Sequence, residues 1–180
     1  MKQLIVGATF FVSIAHCGNS VASIVAPPEF SIDLSLTAID SIPPATPIIE
    51  IIDVHRGIGP RDNGDGSWSS ISTDAIGVVT FAIRTSETDK DPVSEIGVKL
   101  VDLGGEEAIE NLRVPDYFVR PTKNRLNSEF TTYVFWIDGA TDEQEPIAHM
   151  LAIHAVDRAG NVSAHADTVK INDPGRWTVE

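Results

Sequence analysis

Residues 151–163 read LAIHAVDRAGNVS, an alternating segment that runs directly into a turn. The alternation is typical of a β-strand with one face buried. Gly160 and Asn161 suit the left-handed backbone of a tight turn. Asp157 and Ser163 carry side chains that can hydrogen-bond the free backbone amides of that turn. This stretch therefore predicts a β-hairpin.

Similar short segments recur along the chain, each bounded by Gly, Pro, Asn or Asp. This spacing is typical of a single antiparallel β-sandwich of about seven strands, and no helical period competes with it. The segment 129–137 is aromatic and β-branched, which predicts a strand covered on both faces. The predicted strands are Ile48–Val54, Gly77–Arg84, Glu95–Leu103, a short edge strand Val114–Val119, Glu129–Ile137, Pro146–Val156 and Asp167–Ile171.

The segment 151–163 resembles the penultimate strand and turn of bacterial immunoglobulin-like and fibronectin type III-like domains. In those families an alternating strand runs into Ala-x-Asp-x-Ala-Gly-Asn-x-Ser. The matching residues here are Ala155, Asp157, Ala159, Gly160, Asn161 and Ser163. The resemblance covers roughly residues 45–174, and it implies the fold but no particular function.

One position departs from those families. Relatives often carry a tyrosine near the start of this strand, whose hydroxyl bonds back to the backbone. His149 stands at that position. We expect it either to replace the tyrosine as a hydrogen-bond donor or to be a partly exposed strand residue.

Residues 1–22 are typical of a signal peptide. Lys2 gives the positive start, and Leu4–Ala15 is an apolar or small run that is too short to span a membrane. Ser20-Val21-Ala22 suits cleavage by a signal peptidase. We therefore expect a secreted, periplasmic or cell-surface protein with no membrane span.

Cys17 is the only cysteine, and cleavage after residue 22 would remove it. An alternative is a lipoprotein anchored through Cys17, although His16 replaces the small residue expected before a lipidated cysteine. The acyl chains would then tether the domain to a membrane surface.

Residues 23–47 contain five prolines, which favour extended backbone. Phe30 to Leu36 alternates within this segment. The segment is predicted to be either a Pro-rich spacer or an edge strand, followed by the sandwich at 48–174 and a tail at 175–180.

The formal net charge is −13, and removal of residues 1–22 would change it to −14, because Lys2 is their only charged residue. Nucleic-acid binding depends on neutralising phosphates with Lys and Arg, so we expect no nucleic-acid partner. An unknown protein or polysaccharide fits the composition better.

Two histidines could approach one another. If the hairpin pivots on residues 159–160, His154 lies opposite His165 on the outward face, close enough to share zinc or copper. Solvent-facing strand residues are the alternative interpretation.

A loop at 138–145 could hold calcium through its acidic side chains, although solvated turns are the alternative. These candidate ligands are Asp138, Asp142, Glu143 and Glu145. The loop at 62–66 lacks the ligands of a calcium-binding EF-hand at both ends. No cofactor is otherwise predicted.

The sequence lacks the nucleophile elbow, zinc-protease motif and phosphate-binding glycine loop of common enzymes. We therefore expect a non-enzymatic binding, adhesion or interaction module. A structural spacer or accessory domain is the first alternative. A carbohydrate-binding module using Trp68, Trp136 or Trp177 is the second.

Overall fold

The computed structural model describes residues 26–57, 61–62, 68–69, 76–87, 89–138 and 144–175. These ranges contain nine β-strands. No helix within them has the length and hydrophobicity needed to cross a membrane. The strands are β1 (Ile48–His55), β2 (Arg61–Asp62), β3 (Trp68–Ser69), β4 (Ile76–Arg84), β5 (Gly97–Glu107), β6 (Thr122–Lys123), β7 (Phe130–Ile137), β8 (Ile147–Val156) and β9 (Asp167–Asp173).

Seven of these strands form two antiparallel sheets. The first sheet has the order β1-β4-β7-β6, and the second has the order β5-β8-β9. The strands β2 and β3 form a separate two-stranded ribbon. The predicted all-β, sandwich-like architecture of seven strands is confirmed.

One predicted strand is wrong. Residues 114–118 form no strand, and Val119 makes only isolated bridges to Glu29 and Val98. The seventh strand is instead β6, a two-residue segment that pairs with β7. Two residues carry too little pattern for a sequence-based prediction.

The core lies between the sheets and follows from the alternation along each strand. Val79, Phe81 and Ile83 point inward from β4, and Leu151 and Ile153 point inward from β8; all are at most 1% exposed. Burying such a side chain contributes roughly 1.5–3 kcal/mol. The alternating inward positions therefore build the hydrophobic core that stabilises the fold.

At one edge of the sandwich, β1 lies beside β9. The backbone N–H of Ile49 donates to Asp167 Oδ2 at 2.8 Å, and Arg56 Nη1 donates to Asp173 Oδ1 at 3.2 Å. Because residue numbers increase together along this contact, the two strands run parallel. Side-chain bonds therefore join the first and last strands without a backbone ladder.

The Pro-rich segment lies against the sandwich. Glu29 forms an isolated bridge with Val119, and Phe30 is buried over Gly97. Residues 30–33 form no strand, and residues 34–39 form turns. The alternation of 30–36 therefore does not mark a strand of the sandwich.

Candidate functional site

The turn between β8 and β9 is built around the carboxylate of Asp157, which is 2% exposed. Its Oδ1 accepts from the backbone N–H of Asn161 at 2.8 Å, and its Oδ2 accepts from Asn161 Nδ2 at 2.9 Å. Gly160 has a φ of 88°, which favours glycine. Asn161 is not in the left-handed region that its type suggested. Its side chain contributes hydrogen bonds instead.

Ser163 closes the other side of this turn. Its Oγ accepts from the backbone N–H of Ala155 at 3.1 Å and donates to the carbonyl of His165 at 2.8 Å. Its own N–H donates to the carbonyl of Ala155 at 2.9 Å. Ser163 therefore bonds both to β8, at Ala155, and to the segment that leads into β9, at His165.

This turn fixes a segment that is far away in sequence, residues 33–42, which we call the apolar loop. The N–H of Asp33 donates to Arg158 O at 2.7 Å, and Thr37 Oγ1 donates to Ala159 O at 2.9 Å. A third bond runs from Asn161 to the carbonyl of Asp40 at 3.1 Å. The apolar loop is therefore held along its length.

The apolar loop exposes three large aliphatic side chains. Leu34 is 82% exposed, Ile39 is 80% exposed and Ile42 is 63% exposed. Single exposed apolar residues are normal on protein surfaces, whereas larger exposed apolar patches are typical of interaction sites. Sequence reasoning missed this site because the alternation of residues 30–36 favoured a strand or spacer.

Charged residues lie beside the apolar loop. Lys90 Nζ donates to both carboxylate oxygens of Asp40, at 2.9 and 3.0 Å. The hydrogen bond from Lys90 lowers the pKa of Asp40 below its usual range. Asp89 accepts from the backbone N–H of Ala45 at 3.2 Å. One lysine therefore stands among several carboxylates.

Asp91 belongs to the same acidic group. Its Oδ2 is buried, has no hydrogen-bond partner among the described residues, and lies 3.8 Å from Lys90 Nζ. Burial raises the pKa of Asp91, and the neighbouring carboxylates raise it further. Within the described ranges, no group of three or more His, Cys, Asp or Glu residues could hold a metal ion.

The opposite end of the sandwich contains a buried ion pair. Arg56 and Asp138 have side chains that are 9% and 4% exposed, and Arg56 Nη2 lies 2.7 Å from Asp138 Oδ1. Asp138 also accepts from the N–H of Gly57 at 2.9 Å and from Trp136 Nε1 at 3.0 Å. Gln144 Nε2 donates to the carbonyl of Gly57. Asp138 therefore connects the end of β7 to Arg56 and Gly57, which follow β1.

Of the predicted calcium ligands, the structure describes two. Asp138 directs its oxygens at Arg56, and the exposed Glu145 contributes its backbone carbonyl to Arg56 Nη1 at 2.8 Å. Asp142 and Glu143 lie outside the described residues. The carboxylate of Asp138 is therefore bound to a cation of the chain itself.

The register predicted for His154 and His165 is off by one residue. The structure pairs Ile153 with Asp167, whereas the predicted pivot would pair it with Ala166. His154 lies opposite Lys99 on β5, and its Nδ1 is 3.2 Å from the carbonyl of Ser163. The two histidines are therefore not a cross-strand pair.

His149 is 1% exposed, so it is not the partly exposed residue that was one of its two predicted roles. It is not the predicted hydrogen-bond donor to the backbone either. Its Nδ1 accepts a hydrogen bond from the backbone N–H of Ile109 at 3.1 Å. The ring therefore bonds to the backbone as an acceptor.

Comparisons of the chain with protein-family models, with curated proteins and with solved structures found no match.

Proposed function

We propose that this chain is an exported, non-enzymatic binding module that contacts a protein partner through the apolar loop. The observation that carries the proposal is the exposure of Leu34, Ile39 and Ile42 on a segment held by the β8–β9 turn. A segment that is already ordered loses little conformational entropy on binding. An anchored apolar loop is therefore suited to recognition.

We further propose that the sandwich is of the immunoglobulin-like kind. Without the β2–β3 ribbon, the strands β1, β4, β7 and β6 take the places of strands A, B, E and D of an immunoglobulin constant-type domain. The strands β5, β8 and β9 take the places of C, F and G. One difference is that the buried Trp136 lies on the fifth of these strands, whereas antibody domains carry it on the third.

The chemistry of the loop indicates the chemistry of its partner. Each buried aliphatic side chain contributes roughly 1.5–3 kcal/mol before the costs of association. The carboxylates of Asp33 and Asp89 lie on or beside the loop, and the whole chain is strongly acidic. The partner should therefore offer an apolar pocket bordered by basic residues, and salt should weaken the complex.

Export is part of this proposal and depends on residues 1–22. A mature chain that begins at Ser23 would indicate a secreted or periplasmic module. A diacylated Cys17 would indicate a module tethered to the membrane surface. Mass spectrometry of the N-terminus of the mature protein distinguishes these two forms.

The binding test compares variants of the apolar loop. Wild-type protein, the triple variant L34S/I39S/I42S and the control L126S are immobilised and exposed to envelope extract. Leu126 is 96% exposed in a different turn, so L126S removes an equally exposed aliphatic side chain elsewhere. We expect saturable capture of the same protein by wild type and control, a loss of capture by the triple variant, and weaker capture in high salt.

Equal capture by the triple variant would overturn the proposal. Absence of any saturable partner would favour the alternative of a structural spacer or accessory domain. For the carbohydrate alternative, Trp136 is 2% exposed within the core. The side chains of Trp68 and Trp177 lie outside those that the structure describes. No observation on the tryptophans therefore favours a sugar platform.

A further inference from the structure

A short ribbon extends the second sheet beyond β5. The N–H of Phe30 donates to Phe118 O at 2.6 Å, and the N–H of Arg120 donates to Pro28 O at 2.7 Å. Val119 in turn exchanges backbone bonds with Val98 of β5 at 2.8 and 2.9 Å. Residues 28–30 are therefore the outermost strand-like segment on this side.

The outer edge of this ribbon has free backbone groups. Glu29 faces Val119 in an antiparallel bridge whose two hydrogen bonds are made by the residues on either side of this pair. The backbone N–H and C=O of Glu29 therefore point away from the sheet. Among the described residues, the backbones of Glu29 and Ser31 have no hydrogen-bond partner. Such an edge can pair with an added strand.

A groove of about 380 Å³ lies beside this edge, between residues 29–32 and 116–118. Its volume is at the lower end of the range for ligand sites. The carboxylates of Glu29 and Asp116 are exposed and have no hydrogen bond or ion pair within the described part of the chain. Two negative charges therefore line the groove without a neutralising partner.

The two carboxylates act on the same aromatic ring. Burial raises the pKa of Tyr117, and the charges of Glu29 and Asp116 raise it further. The Tyr117 hydroxyl donates to Pro27 O at 2.8 Å, which fixes the ring in the groove beside Phe118. Carboxylates next to aromatic rings attract organic cations through charge and cation–π interactions.

We propose that this groove binds the lysine or arginine side chain of an extended peptide that adds to the edge at residues 29–31. The peptide backbone would pair with the free groups of Glu29 and Ser31, and its cationic side chain would lie between Glu29 and Asp116. The acidic net charge of the chain favours the approach of such a peptide. This site uses none of the exposed aliphatic residues of the apolar loop, so either site can fail without the other.

The test uses the full chain and a defined probe, acetyl-Val-Lys-Val-Lys-Val-amide, followed by backbone amide NMR shifts. We expect shifts at residues 29–31 and 116–118, and a dissociation constant that rises about tenfold or more in E29Q/D116N. The matched control E106Q/E107Q also removes two exposed carboxylates and should bind as wild type does. High salt should weaken binding to wild type.

Two further probes separate the parts of the proposal. The neutral peptide acetyl-Val-Gln-Val-Gln-Val-amide should bind at least about tenfold more weakly, and equal binding would overturn the role of charge. Spermidine carries charge but cannot pair with a strand, and equal binding of spermidine would overturn the edge pairing. Shifts outside the groove, or no shifts with the lysine peptide, would overturn the site itself.

Discussion

The imidazole Nδ1 of His149 accepts a hydrogen bond from the backbone N–H of Ile109, at a distance of 3.1 Å. Because Nδ1 is the acceptor, the proton of the neutral ring is on Nε2. Nε2 lies 3.0 Å from Asp102 Oδ1, although the alignment falls short of a hydrogen bond. His149 therefore connects β8 to the segment that leaves β5.

Replacing this histidine tests the connection. His149→Leu leaves the buried N–H of Ile109 without an acceptor, so we expect a loss of about 1–3 kcal/mol in the free energy of unfolding. His149→Asn places an oxygen near the position of Nδ1 and should remove less. Urea unfolding measures both, with Met150→Leu on the exposed face of β8 as the control. Equal losses in the leucine and asparagine variants would contradict the hydrogen-bond explanation.

Arg56 and Arg84 both form ion pairs, but only that of Arg56 is buried. Arg56 is 9% exposed beside Asp138, whereas Arg84 is 54% exposed between Glu50 and Glu129. Arg56→Met should cost about 3 kcal/mol of unfolding free energy, because it leaves the buried Asp138 without its cation. Arg84→Met should cost less than about 1 kcal/mol, since exposed pairs are weak. Similar costs for both in urea unfolding would be evidence against a structural role for the Arg56 pair.

Asp40 and Asp91 should respond to acid in opposite ways. The pKa of Asp40 is lowered by its hydrogen bond from Lys90, so its stabilising contribution is present above the unfolded value of 3.8 and is lost as pH falls through the folded pKa. Burial raises the pKa of Asp91, so its ionised form destabilises the fold at neutral pH and protonation relieves this. We expect Asp91→Asn to stabilise the protein at pH 7 and to lose that advantage at about pH 3.

The measurement is urea unfolding of wild type, Asp91→Asn and Asp40→Asn at both pH values. Asp40→Asn should lower the free energy of unfolding at neutral pH, whereas Asp91→Asn should raise it. A destabilised Asp91→Asn at neutral pH would show that the carboxylate contributes more through contacts than it costs through burial.

The β8–β9 turn should control the order of the apolar loop. Asn161→Ala removes the donor to Asp40 O and the bond to Asp157 Oδ2. We expect amide hydrogen exchange in residues 33–42 to accelerate several-fold while the strands of the core keep their protection. Asn127→Ala, in an exposed turn elsewhere, is the control. Unchanged exchange in the loop would mean that the bonds from Asp33 and Thr37 hold it without Asn161.

Local patterns predicted the strands well because alternation and bounding turns are properties of neighbouring residues. The segment Gly77–Arg84 was predicted nearly as observed, since its inward positions are Val79, Phe81 and Ile83. The strand predicted at 114–119 was wrong because its residues cross between the sheets. Arg113 bridges Phe135 in one sheet, and Val119 bridges Val98 in the other.

The hairpin register needed more than a local pattern. Val156 bridges Val162 close to the turn, but the regular β8–β9 ladder starts only at Ile153 and Asp167. Three positions separate these two contacts on β8 and five separate them on the other arm, so the pairing shifts by two positions between them. The amino-acid types of these residues do not predict this shift in register.

The candidate site was the least predictable part. The apolar loop contacts residues more than a hundred positions away, through bonds such as that from Thr37 to Ala159. Asp138 looked like a calcium ligand because its partner Arg56 is 82 positions distant. Long-range partners such as these become visible only when the chain is folded.

The parallel contact of β1 with β9 has a mechanical consequence. When the chain is pulled from both sides and the bonds that hold residues 28–42 to the sandwich have broken, force enters at the beginning of β1 and at the end of β9. In a parallel pair these two points lie at opposite ends of the contact, so the strands are loaded in shear. The Ile49–Asp167 and Arg56–Asp173 bonds then bear the load together. The domain should therefore resist stretching better than a sandwich whose terminal strands can be peeled away one bond at a time.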